Sequence, residues 1–412
     1  MGLLKSLDTM KKLLLAILSL GCILSVSAKK LEQPVETKYN RSSIYSILVC
    51  HKEQKFASEI ESQFLDIPTP DKYDDHDLSV KVVSVDKKGK YGEDIDAFIE
   101  KNNIASRMVA RWFDRDILTG QCDMELIKAR GVYNASELDK ELAARSARGI
   151  AMLQDAGEQL IGNTFLLVNE INYVDKAKKG QAFGIGLRVL GALATAVTND
   201  NSYMALGEVA GSMAETYKGF KVKITTRLYQ LVWDEETAAD FYTNYWTSTP
   251  DQARAAAFEA NRGKFKLKYV GDVESNGNAT SFLGINEDVP EMMVRKACQR
   301  AIDENVADLQ KKYDQFRIKA PITEVDGGIK VQVGMKEGIT PDSEFEVLEP
   351  QDENGVITYK RVAVIKPVDK KIWDNRYMAI DEGAYGADFE ATTFKKVSGG
   401  DIYPGLLVRQ IN

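Results

Sequence analysis

The sequence predicts an α+β protein, in which a mixed α/β sheet domain with packed helices is followed by a small C-terminal β-barrel. Two observations predict it. As far as residue 319, short runs of β-forming residues alternate with stretches whose apolar residues recur at helical spacing, the pattern of helices packed on a sheet. From Ala320 and Pro321 onward the helical pattern stops, and strand-like runs follow one another between turns. Such a unit closes most simply as a barrel.

A polar lead-in spans residues 29–40, and the α/β domain takes residues 41–319. Residues 44–50 are short and rich in β-formers, which suits a buried strand. Phe56, Ile60 and Phe64 then recur at a spacing of four and place one apolar stripe on a helix. Pro68 and Pro70 end it, because proline has no amide to donate and constrains its predecessor. A strand at 80–85 and a turn at 87–92 lead to a helix at 94–111 carrying Ile95, Phe98, Ile99, Ile104 and Met108. Residues 124–127 read as a strand, Ser136 caps a helix running to about Ala156, and residues 165–168 read as a buried strand. Residues 222–233 alternate partially and make a long strand, partnered by a short one at 265–270. Between them Phe241, Tyr242, Tyr245 and Trp246 are either core or a binding surface. Asp288 and Pro290 open a long helix whose stripe is Met293, Ala297, Ile302, Val306, Leu309 and Tyr313. In the barrel, residues 320–412, strands are expected at 329–333, 344–348, 356–365, 392–397 and 406–409, with Asn354-Gly355 as a hairpin turn.

Residues 180–219 differ in kind, being rich in Gly and Ala, and read as a helical insertion. The glycines at 184, 186 and 191 lack dinucleotide-fingerprint spacing. Gly207 and Gly211 would let two helices approach closely. The segment is either a hairpin covering the sheet or a partner or membrane contact through Phe183, Leu187, Leu190, Gly207 and Gly211.

The chain holds 54 Lys and Arg against 61 Asp and Glu, a net charge of −7. That balance argues against nucleic acid as a partner, since binding it needs clustered cations to displace counterions. His51 and His76 are the 2 histidines, so a histidine-based catalytic or zinc centre has little to draw on. At the N-terminus, Met10, Lys11 and Lys12 precede an apolar run at 13–26 and the small residues Ser27 and Ala28. This is the pattern of a signal peptide over residues 1–28, cleaved after Ala28, and predicts an exported protein, periplasmic or associated with an outer membrane. Lipidation at Cys22 is the alternative fate of the same segment. Cys50, Cys122 and Cys298 are widely spaced and odd in number, so they form no disulfide framework and read mainly as small buried hydrophobes.

Glycine-punctuated strands at Gly327, Gly328, Gly334, Gly338, Gly399 and Gly400, with Phe345-Glu346-Val347 and Val362-Ala363-Val364-Ile365, carry a resemblance over residues 322–412. This segment resembles the C-terminal β-domain of flagellar assembly protein T. Trp112-Phe113 before 124–127, the helix after Ser136, the strands at 165–168 and 222–232, Asp234-Glu235-Glu236 and the helix at 290–315 carry another. In the order of these elements the chain is similar to the periplasmic α/β part of the curli-secretion channel family. Where that family has amphipathic membrane hairpins, residues 183–217 read as helical and cannot supply paired membrane strands. The resemblances imply an envelope protein that assembles with a partner or with itself.

No HExxH, GxSxG, Walker A or CxxC pattern occurs. The densest polar constellation lies at 71–77, where Asp74, Asp75, His76 and Asp77 offer oxygen donors and an imidazole to a divalent cation. The bland alternative is a solvated loop between helix and strand. His51, directly after a buried strand, reads as a strand-end residue. Together these features predict a non-enzymatic structural or assembly protein of the bacterial cell envelope, without cofactor. Its expected partner is another envelope protein or a further copy in a homo-oligomer, with the outer-membrane surface as a further contact. The alternative is a secreted hydrolase using the carboxylate-rich loop.

Overall fold

The computed structural model describes residues 42–78, 81–85, 91–146, 148–149, 151–174, 219–280, 291–354 and 356–411. The signal segment, Cys22 and the insertion carrying Phe183, Leu187, Leu190, Gly207 and Gly211 lie outside these residues.

An α/β sheet domain and a closed barrel make up the chain, as the residue pattern predicts. The sheet is built on β1 (Ser43–His51) and β4 (Thr164–Tyr173), which run parallel. β2 (Asp74–Asp75) and β3 (Val82–Val85) also pair in parallel with β1. On the other side β5 (Gly219–Leu231) and β6 (Leu267–Thr280) add antiparallel strands. Buried on both faces, β1 needs its continuous apolar run. Tyr45, Ile47 and Val49 face a layer of helices that includes α2 (Tyr91–Lys101), α3 (Ile104–Trp112), α7 (Glu235–Asn244) and α8 (Gln252–Ala260). Ile44, Leu48 and Cys50 face α1 (Ala57–Leu65) and α9 (Glu291–Lys312) instead. The anticipated α9 stripe is buried at Ala297, Ile302, Val306 and Leu309. All three described cysteines are buried and free.

Four elements differ from the sequence reading. Residues 125–127 open a helix, α4 (Glu125–Asn134), with Met124 at its N-cap, rather than a strand; Asp123 Oδ1 accepts from the Glu125 amide at 3.0 Å and starts it. The helix expected at 94–111 breaks at Asn103, whose φ of 51° is left-handed, while the Asn102 side chain donates to the Phe98 carbonyl. Ser136 does form a capping box with Asp139, yet α5 (Glu137–Arg145) stops at Ser146 and a separate α6 (Ala151–Ala156) follows. The short partner strand at 265–270 is the 14-residue β6, whose polar second half pairs with β5 to its end.

In the barrel, β7 (Lys319–Glu324), β8 (Ile329–Val331), β9 (Phe345–Glu353), β10 (Val356–Pro367), β11 (Thr392–Gly399) and β12 (Leu407–Gln410) close in the order β10-β11-β8-β7-β12-β9. Ile322, Val331, Val347, Ile365, Phe394 and Val408 fill it. Side chains tie it to the α/β domain: Tyr359 donates to buried Asp139 at 2.6 Å, and Arg300 pairs with Glu382 at 2.7 Å.

One close approach is set by glycine. A Cβ on Gly131 in α4 would lie 2.2 Å from the Leu153 carbonyl oxygen, and one on Gly157 would lie 2.1 Å from that of Ile127. Gly131→Ala should therefore cost about 1–3 kcal/mol by forcing the two backbones apart. Urea unfolding reads this, and an unchanged midpoint would show that the segments separate freely.

Candidate interaction site

Five consecutive residues after α3 form a turn whose shape one carboxylate dictates. Asp116 Oδ1 accepts from the amides of Leu118 at 2.9 Å and Thr119 at 2.7 Å, and from the Thr119 hydroxyl at 2.9 Å. These bonds, the Thr119 amide foremost, hold the Asp116 carboxyl below the usual carboxylate range. Gly120, at a φ of 72°, returns the chain toward α8, where the Asp251 amide donates to the Thr119 carbonyl. The Cys122 amide donates to the Thr247 carbonyl at 2.8 Å, fixing the far side. The turn is thus tied to the body at both ends, and it displays Ile117 and Leu118 at 72% and 81% exposure. Adjacent large aliphatics that exposed, on backbone that rigid, are the geometry of a contact rather than of a core.

Ile117 also forms the rim of a groove of about 520 Å³ between α3 and α8. Arg107, Arg111, Arg115 and Arg262 line it. Arg111 lies 3.9 Å from Asp114, and Arg262 pairs with Glu259 at 3.0 Å. Arg115 is held differently: its guanidinium lies 4.1 Å above the Phe258 ring and donates to the carbonyls of Arg254 and Ala255. Those partners orient the cation and carry no formal charge, while Glu259 and Asp116 act on it as carboxylates. Arg107 donates to the Leu78 carbonyl at 2.9 Å. Asp77, Asp114 and Glu259 line the groove as well, so its wall sets four guanidinium groups among three carboxylates and an aliphatic edge; a carboxylate arriving beside an apolar side chain meets the guanidinium excess.

The residues singled out for metal binding are not gathered around one point. Asp74 accepts from the Asn134 side chain at 2.9 Å, and the Asp75 carbonyl accepts from Arg130. His76 turns into the core, its ring 5.3 Å from Trp112 and its Nε2 3.0 Å from the Met108 carbonyl. Burial above all lowers its pKa to about 3, so the ring is neutral. Asp77 lines the arginine groove. Among the described residues, no group of three His, Cys, Asp or Glu is placed to hold a metal ion. His51 is the last residue of β1, as its position suggests. Its ring nitrogen Nε2 lies 3.2 Å from Glu170 on β4, and Glu170 also accepts from Arg227 on β5 at 3.2 Å. This bridge crosses three strands and braces the sheet. The clustered aromatics are core, with Phe241 stacked on Phe113 at 4.3 Å.

Sequence reasoning passed over both the turn and the groove. Arg107 and Arg111, four apart on one helix, were a local signal for a shared face; Arg262 arrives from a segment about 150 residues away and gives none. No protein-family model matches the chain, and no curated protein matches it significantly.

Proposed function

We propose that this chain is a non-enzymatic assembly protein of the bacterial cell envelope, exported through its N-terminal segment, which docks an extended acidic segment of a partner protein in the arginine groove. The rigid Ile117-Leu118 turn at the rim of a groove lined by four arginines is the observation that carries the reading. Four guanidinium groups against three carboxylates leave a cationic excess of one that favours an acidic occupant, and Arg115 is desolvated in advance, so a carboxylate meeting it loses little further hydration. The signal-like N-terminus and the resemblance to envelope families support the location. The non-enzymatic part rests on the use already made of the polar candidates: His76 is neutral and internal, and Glu170 holds His51 and Arg227.

Fluorescence anisotropy with a labelled peptide of alternating Glu and Leu tests it. Binding should weaken about tenfold for Leu118→Asp and fall steeply with salt. Because Leu118 is exposed, that substitution should leave stability within about 0.5 kcal/mol. Equal binding of a Lys-and-Leu peptide, or a Leu118→Asp variant that binds as tightly, would overturn the docking role. Loss of a wild-type dimer on the same substitution would assign the surface to a second copy instead.

A further inference from the structure

A second concavity, of about 760 Å³, lies between α9 and the barrel, away from the arginine groove. Its α/β wall carries Asp303, Glu304, Asp308 and Lys311 from α9, and its barrel wall carries Lys336 and Tyr385. From these residues we infer that the cavity binds a small zwitterion, a molecule of amino-acid or dipeptide size whose ammonium meets Asp303 and Glu304 and whose carboxylate meets Lys311 and Lys336.

Asp303 is 7% exposed, and its Oδ2 has no hydrogen-bond partner. A buried carboxyl oxygen in that state costs free energy that a donor from a ligand would recover. Of the charges acting on it, Lys336 attracts, whereas Glu337 and Asp71 repel. The next residue, Glu304, is raised in pKa by burial first and by Asp308 second. Two neighbouring carboxyls thus border one space, with Lys336 acting on Asp303 and Lys311 on Glu304. An ammonium satisfies them by charge and by its three donors.

The cations in the wall are Arg300, Lys311, Lys336, Lys370 and Arg376, and the two arginines are committed. Arg300 donates to Glu382 and to the Tyr377 carbonyl, and Arg376 is paired with Asp374 at 2.7 Å. Lys336 makes a long contact with Asp71, 3.9 Å, and its charge also acts on Asp303, so an ammonium at Asp303 would release it to a ligand carboxylate. Lys311 projects beside Gly338, whose φ of 73° keeps that position clear of a side chain. A bare metal ion does not fit the arrangement, since no three ligating side chains converge among the described residues. The volume falls in the range of about 300–1,000 Å³ usual for small-molecule sites.

Isothermal titration of the full chain at neutral pH with glycylglycine, L-lysine and L-glutamate tests the assignment, with putrescine and succinate as controls that carry charge of one sign only. At least one zwitterion should bind, and both controls should bind about tenfold more weakly or worse. Asp303→Asn, which keeps the shape, and Lys336→Met, on the opposite wall, should each weaken that zwitterion about tenfold. No binding by any of the three zwitterions below about 10 mM, control binding equal to theirs, or affinity untouched by either substitution would each overturn it.

Discussion

Replacing Glu346 with alanine is expected to lower the stability of the protein by about 3–5 kcal/mol, because it leaves buried positive charge without its counterion. Glu346 on β9 is almost wholly buried; one of its carboxylate oxygens accepts from Arg361 on β10 and the other from Arg409 on β12. The three strands are neighbours, with Glu346 paired directly to Arg409 in register. Lys319, at the start of β7, shares the environment; burial first and Arg409 second push its pKa down to about 8, while Glu346 pulls it up. Glu346 therefore pairs with arginines from two other strands and attracts Lys319 from a third, and deletion leaves those cations repelling one another in a largely buried setting. Urea unfolding followed by circular dichroism measures the loss. A companion variant separates charge from packing. Glu346→Leu combined with Arg409→Met removes one cation with the anion and should recover part of the loss. A deficit under about 1 kcal/mol for Glu346→Ala would mean that solvent reaches the cluster and screens it.

The parts of the fold legible in the sequence are those written locally. Ser136 and Asp139 sit three apart and make the capping box that spacing announces. Asn354 adopts a left-handed φ of 56° between β9 and β10, as a hairpin residue should. The apolar stripe of α9 is visible because helical periodicity needs no tertiary information. What stayed hidden depends on distant pairing. The second half of β6, from Glu274 to Thr280, has strand geometry because β5 supplies a complete ladder and Gly277 lets the Ala297 carbonyl come close. Its polar composition alone says loop. Residues 124–127 look like a strand by composition, yet their environment is a helix start beside Asp123. The carboxylate that meets His51 lies 119 positions along the chain. Asp303 follows Ile302 on a helix, and only the barrel's approach turns that polar residue into a cavity wall.

Two buried groups should set opposite dependences of stability on pH, and the native protein should hide both. His76 has a pKa of about 3 in the fold against a usual 6.5, depressed mainly by burial, with Arg130 and Arg111 adding repulsion and the Met108 carbonyl and Asp77 opposing. Between those values the unfolded chain binds a proton that the native one refuses, so stability is complete above about pH 6.5 and is lost as pH falls. Asp303 is the reverse case: burial raises it from 3.8 to about 7, with Glu337 and Asp71 adding and Lys336 opposing. The native state keeps a proton that the unfolded chain has released, so stability falls as pH rises through that window and levels off above about 7. Each group contributes a slope on the order of 1.4 kcal/mol per pH unit where only one of the two states is protonated. Their windows overlap from 3.8 to 6.5, and there the two slopes cancel. Asp303→Asn should therefore tilt the curve upward with pH relative to wild type, gaining on the order of 4 kcal/mol by neutrality. His76→Gln, which can still donate to the Met108 carbonyl, should tilt it downward by a similar slope. Urea unfolding at several pH values between about 4.5 and 6 resolves both tilts. Variant curves running parallel to wild type across that interval would mean that neither group is as desolvated as its surroundings imply, and would remove the energetic reason for placing an ammonium against Asp303.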